Sequence, residues 1–311
     1  GKAGFPVWKW GVGGQAWEQE SSAMAGGMRP LLARPWIQLH NAMDLSHAPS
    51  WLSSQQLSYT EKLFSMGIQG HPVLVADSLT KLQGSTPQVA FAGRSNVGKS
   101  TLLNMLLHGR PDPLQQRGPV SERRKLDLPT AAPVSHKPGR TRHLFRFEVG
   151  GRLTLVDLPG YGYAVAPRKV KESWSTLVDD YLTQARQLER VISLVDARVG
   201  IKESDEQLWE MLQREKRQLM VVLTKVDKVA AEGLNRTMAH VVSLLEQMDN
   251  TYVWPYVHAV SGLYGHGVAE LRASVTAVAS DAERRRPSRR PAGIGQAGAG
   301  ATRRPKPTGN P

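Results

Sequence analysis

The sequence contains no cysteine, which removes disulfides, thiolate-bound metals and thiol catalysis and leaves the fold to ordinary packing. No run approaches the roughly 20 consecutive apolar residues that a spanning helix needs, so the chain reads as soluble and without a membrane span. Carboxylates are missing from one end: between Arg284 and Lys306 there are eight basic residues and no Asp or Glu. That segment carries much of the formal net charge of +13. With the Pro and Gly around them, these residues cannot bury a core, so 284–311 is expected to be a disordered basic tail.

What is present suffices for a folded enzyme: 311 residues, 40% of them apolar, without an internal repeat. Residues 1–70 hold scattered tryptophans with little periodicity and read as a largely disordered leader. Within it, "MAGGMRPLLARPWIQLHNAM" (24–43) places Arg29 and Arg34 among apolar residues with no acid, the composition of a mitochondrial presequence. A short helix is expected over "SYTEKLFSM", with Ser58 as N-cap and Glu61 three positions on.

From Pro87 to about Ser280, short β-branched runs alternate with longer amphipathic ones. "QVAFAG", "HLFRFEV", "RLTLVDL", "RVISLVDA", "QLMVVLTK" and "TYVWPYVHAV" predict six strands. Segments such as "STLLNMLLHG" and "SDEQLWEMLQREK" have helical spacing. The alternation predicts an α/β domain over 71–283, a mostly parallel six-stranded sheet with helices on both faces.

The run Gly93, Arg94, Ser95, Asn96, Val97, Gly98, Lys99, Ser100, Thr101 follows the first of these strands and opens a helix. It fits G-x-x-x-x-G-K-[ST], a loop whose backbone N–H groups cradle phosphates. Lys99 would reach the β/γ oxygens and the Ser100 hydroxyl would ligate Mg²⁺. "LTKVDK" then selects the base. Thr224, Lys225 and Asp227 fit [NT]-K-x-D, and the Asp227 carboxylate can accept two hydrogen bonds from guanine N1–H and the exocyclic amine, a pair adenine lacks. GTP or GDP is the expected ligand. In "AVSGLYG", Ser261 would brace the last base loop while the Gly262 N–H faces guanine O6.

"LTLVDLPGYGYA" ends a strand at Asp157 and continues as D-x-x-G, a loop that holds Mg²⁺ through water and senses the γ-phosphate through the Gly160 N–H. Thr141, just before a strand in a Gly/Pro-hinged segment, is the candidate second hydroxyl ligand for Mg²⁺, with Thr130 as its rival. The residue after Gly160 is Tyr161, whose phenol is ill suited to orient an attacking water, so intrinsic turnover should be slow.

"FAGRSNVGKSTLLN", "KPGRT", "DLPGYGYA" and "TKVDK" together resemble the EngB-type (YihA/YsxC) GTPases of the TrmE-Era-EngA-EngB-septin-like class, over about Pro87 to Ser280. The resemblance implies a Ras-like P-loop fold and a GTP-hydrolysing switch in assembly of the large ribosomal subunit. Its partners would be the pre-ribosomal subunit and rRNA, with a GTPase-activating surface on the ribosome and the protein itself a monomer. It also implies that Asn96 offers an oxygen to K⁺ beside the β/γ bridge, the alternative being a hydrogen bond within the loop. Lys99, Thr141, Gly160 and Asn96 would then carry catalysis. The leader, the stretch "LVDARVGIKESDEQLWEML" and the tail are more similar to eukaryotic, organelle-targeted members, which implies the mitochondrial matrix. The chain departs from the family in a longer connection over 105–137 and in Arg142, where glutamine is common. The competing reading is a nucleotide-regulated RNA-binding or scaffold protein with little GTPase activity.

Overall fold

The computed structural model describes residues 35–39, 49–69, 73–75, 78–111, 144–161 and 168–285. The central strands are β3 (Gln88–Gly93), β5 (Leu153–Asp157), β6 (Leu188–Asp196), β7 (Leu219–Thr224) and β8 (Tyr256–Ala259), with β4 (Leu144–Val149) antiparallel to β5. Pairings β3·β5, β3·β6, β6·β7 and β7·β8 are all parallel. Two short edge strands, β1 (Trp36–Gln38) and β2 (Val73–Val75), extend the predicted six to eight, in the order β1-β8-β7-β6-β3-β5-β4-β2.

Side chains alternate across the sheet with period two, and each face buries its own set. Ala90, Val156, Val191 and Val221 point into one apolar cluster under α3 (Arg168–Gln184), α4 (Glu203–Arg214) and α5 (Ala231–Leu245). Val89, Phe91, Ile192 and Met220 point the other way, under α2 (Lys99–His108) and α6 (Val268–Arg285). Because the central strands β3, β5 and β7 are buried along their whole length, their polar groups are available for chemistry at the strand ends. Arg272 on α6 closes the far end of α2, its Nε and Nη2 donating to the carbonyls of Leu106 at 2.8 Å and Met105 at 3.0 Å.

The expected disordered leader is corrected over 35–39 and 49–69. β1 pairs antiparallel with β8, and α1 (Ser54–Ser65) packs along α6. The helix starts before the predicted Ser58, with Ser53 as N-cap accepting from Gln56 N at 3.2 Å. Its buried face is partly polar: Gln56 Nε2 donates to Thr276 at 3.1 Å, and the Thr60 and Thr276 hydroxyls lie 2.6 Å apart. Trp51 is 2% exposed, its ring 5.6 Å from Trp36, 5.3 Å from Tyr256 and 5.1 Å from His258. At the other end, α6 runs through Arg284 and Arg285, so the domain ends slightly later than expected. The tail from 286 onward and residues 1–34 lie outside the described residues.

His258 lies under this aromatic cluster, fully buried, with neither ring nitrogen hydrogen-bonded among the described residues. Burial, reinforced by the Arg190 guanidinium, pushes its pKa down to about 3. The unfolded chain would protonate it near pH 6.5, so its contribution is complete above that pH and falls by about 1.4 kcal/mol per unit as acid is added toward the folded pKa. His258→Leu should flatten the stability slope between pH 6 and 4 in urea titrations; an unchanged slope would assign acid sensitivity to other groups.

Candidate nucleotide-binding site

All the predicted loops except the one containing Thr141 meet at the carboxyl ends of the parallel strands, where ligands bind in open α/β sheets. β3 leaves the sheet at Gly93, and α2 begins at Lys99 after a turn that needs left-handed backbone at Asn96 (φ 63°) and Gly98 (φ 101°). A residue with a β-carbon would strain Gly98. Val97 is buried and pins the turn, while no side chain caps α2. The first N–H groups of α2 therefore face the loop without a side-chain acceptor, at the positive end of the helix dipole, as an anion cradle requires. Arg94 contributes only backbone to this cradle, since its guanidinium donates to Gly200 O at 2.6 Å and pairs with Asp205 at 3.1 Å.

Lys99 and Asp157 are both buried, and the Lys99 ammonium donates to Asp157 Oδ1. The other carboxylate oxygen, Oδ2, is buried without a hydrogen-bond partner among the described residues. Desolvation pushes the Asp157 pKa up, partly offset by Lys99. An orphaned carboxylate oxygen on the residue that Lys99 holds fits a water-held Mg²⁺, which would satisfy it and stabilise its charge. Thr141, Thr130 and Arg142 lie outside the described residues. Gly160 sits directly over the phosphate loop, where a β-carbon would come to 3.0 Å from Ser95 Cα.

The base loop is tied to the phosphate loop by two side chains. Thr224 Oγ1 donates to Val97 O at 2.7 Å, and the Lys225 ammonium donates to Asn96 O and, at 2.9 Å, to Asp196. Thr224 and Lys225 thus act on the phosphate loop, and Asp227, in the same loop, is half-buried. In the last loop the Ser261 hydroxyl accepts from Tyr264 N at 3.2 Å, and its backbone carbonyl accepts from Gly265 N at 2.8 Å. Gly262 lies against α2, where a β-carbon would stand 3.1 Å from Leu102 Cα. The Asn96 side chain is exposed, with its amide unbonded to any described residue.

Asp196 and Arg198 were not singled out by the sequence. Asp196 ends β6 opposite Thr224, and Arg198 grips it through Nε at 2.9 Å and Nη2 at 2.7 Å. Burial alone would raise its pKa, but the hydrogen bonds from Arg198 and Lys225 outweigh that and hold it down to about 2. It therefore stays charged and keeps Lys225 in place at any physiological pH. A carboxylate closing a strand next to the base-loop strand was the available signal.

Residues 88–225 match the family model described as "50S ribosome-binding GTPase", and 174–281 match "Elongation factor Tu GTP binding domain". A probable GTP-binding protein EngB from Gluconobacter oxydans is 40% identical over 189 residues, 61% of this chain and 74% of that protein. The chain belongs to the EngB family of GTP-binding proteins. Another EngB relative, from Sinorhizobium medicae, is 33% identical over 232 residues and is covered to 97% of its length. Like other P-loop GTPases, this EngB-type protein is a GTP-hydrolysing enzyme, and no helix among its described residues is long and apolar enough to cross a membrane.

Proposed function

We propose that the protein is a GTP-timed switch in assembly of the mitochondrial large ribosomal subunit, engaging pre-ribosomal rRNA as a GTP-loaded monomer and leaving after hydrolysis. The observation that carries the nucleotide half of this reading is the coupling of base loop to phosphate loop through Thr224 to Val97 and Lys225 to Asn96. Recognition of guanine is thereby connected directly to the loop that holds phosphate.

In this reading the backbone from Gly93 to Thr101 binds the α- and β-phosphates, and Asp227 with the Ser261–Gly262 turn binds guanine. Lys99 exchanges its partner Asp157 for the β/γ oxygens, so its charge follows the negative charge of the transferring group. Gly160 N–H senses the γ-phosphate. Ser100, Asp157 and Thr141 would hold Mg²⁺, which supplies charge neutralisation on the phosphates. Asn96 is free to offer its carbonyl to K⁺ at the leaving side. No general base is needed, because positioning and electrostatics carry most phosphoryl transfer.

The ribosomal half rests on the family and on the basic tail, which would neutralise rRNA phosphates without reading sequence. The acid-poor leader supports targeting to the matrix, with processing upstream of Pro35 because β1 begins at Trp36 and belongs to the sheet. Co-sedimentation with large-subunit precursors tests the proposal. Binding with GTP, weaker with GDP and steeply reduced by salt is expected; equal binding in both nucleotides would leave no switch.

A further inference from the structure

Asp205, in the first turn of α4, is fully buried at 0% exposure. Its simplest role is local, since Oδ2 accepts from Lys202 N at 2.9 Å and so closes the helix start. Its remaining contacts go elsewhere. Oδ1 accepts from the Tyr161 hydroxyl at 2.8 Å, and Oδ2 lies 3.1 Å from Arg94 Nε. One carboxylate thus holds a residue of the phosphate loop and the residue that follows Gly160.

These two residues are also joined through their backbones. Ser95 N donates to Tyr161 O at 3.1 Å, and Tyr161 N donates to Gly93 O at 3.2 Å, forming a parallel bridge between Arg94 and Tyr161. The bridge is what lays Gly160 over Ser95, where a β-carbon would press on the Ser95 backbone at 3.0–3.1 Å. Tyr161 therefore does not face the phosphate cradle. Its phenol is bound inward, and burial, aided by the Asp205 charge, raises its pKa well above the usual phenol range, so it remains a donor.

We propose that Asp205 is a positioning residue for GTP hydrolysis: through Tyr161 and Arg94 it fixes the D-x-P-G loop in register with the phosphate loop, so that Gly160 N–H stands where the γ-phosphate arrives. This rests on the assignment of Gly160 as the γ-phosphate sensor. GDP lacks that phosphate, so the register matters to GTP and its transition state and not to GDP. A merely structural role would weaken both nucleotides alike.

The test uses full-length wild type, Tyr161→Phe, Asp205→Asn and the double variant, with thermal unfolding as a check on folding. Tyr161→Phe removes one hydrogen bond to a carboxylate and should lower kcat by about 10-fold while KD for GDP stays within about 2-fold. The GTP-to-GDP affinity ratio should fall in the same variant. Because the Tyr161 hydroxyl acts through its contact with Asp205, removing it adds nothing once that carboxylate is altered, and the double variant should be no worse than the more damaged single one. Unchanged kcat and an unchanged affinity ratio in Tyr161→Phe, or equal loss of GTP and GDP affinity, would overturn the proposal. The wild type separates the two levels. If it shows no discrimination between GTP and GDP, the sensor assignment fails; if it discriminates and the variants match it, only the role of Asp205 fails.

Discussion

Asp227→Asn is expected to lower GTP and GDP affinity by at least about 100-fold, with xanthine nucleotides recovering most of the loss. Removing one partner from a desolvated charged hydrogen-bond pair costs about 2–5 kcal/mol, and each 1.4 kcal/mol is tenfold. The carboxylate accepts twice from guanine, whereas the amide can accept once and donate once, which suits the 2-oxo group of xanthine. The loop itself should survive, because Thr224 and Lys225, not Asp227, tie it to the phosphate loop. Isothermal titration with GDP and XDP measures both arms. A variant that keeps its guanine preference would remove Asp227 from base recognition.

Trp51→Ala is expected to destabilise the protein by about 3–5 kcal/mol, the range for truncating a fully buried large aromatic. The side chain is held between Trp36, Tyr256 and His258 and contributes to the small cluster that includes Ala273 and Ala277 of α6. Against a typical total of about 5–15 kcal/mol, this loss approaches unfolding. Urea denaturation checks it, and a change below about 1 kcal/mol would show that the N-terminal segment only rests on the domain. The same packing makes a truncation at residue 70 a poor choice for nucleotide studies, because it removes β1, Trp51 and α1 together.

The parts of this protein with a repeating physical signature were readable in advance. The six longer strands announce themselves through β-branched runs, and the phosphate and base loops through residue types that must recur at fixed spacing beside a strand. β1 was not readable, because a three-residue edge strand has no room for periodicity and is defined by its partner β8. The first turn of α1 was hidden for a different reason. Gln56 is buried by hydrogen bonding to Thr276 of α6, and a polar residue on a buried face defeats a hydrophobic pattern. In "TYVWPYVHAV" the strand shrinks to Tyr256–Ala259, since Pro255 and the turn before it occupy the first half. Asp205 looked like one more charge at the start of an amphipathic helix. Its partners, Arg94 and Tyr161, are distant in sequence, and only the closing of β3 and β5 beside each other brings them within reach of it.

The measurement closest to the central claim is competition for labelled GDP on the full-length protein by GTP, GDP and ATP in the presence of Mg²⁺. The two hydrogen bonds that the Asp227 carboxylate can accept from guanine and not from adenine predict that GTP and GDP displace the label while ATP fails to do so at about 100-fold excess. Displacement by ATP at the same concentration as GTP would contradict it.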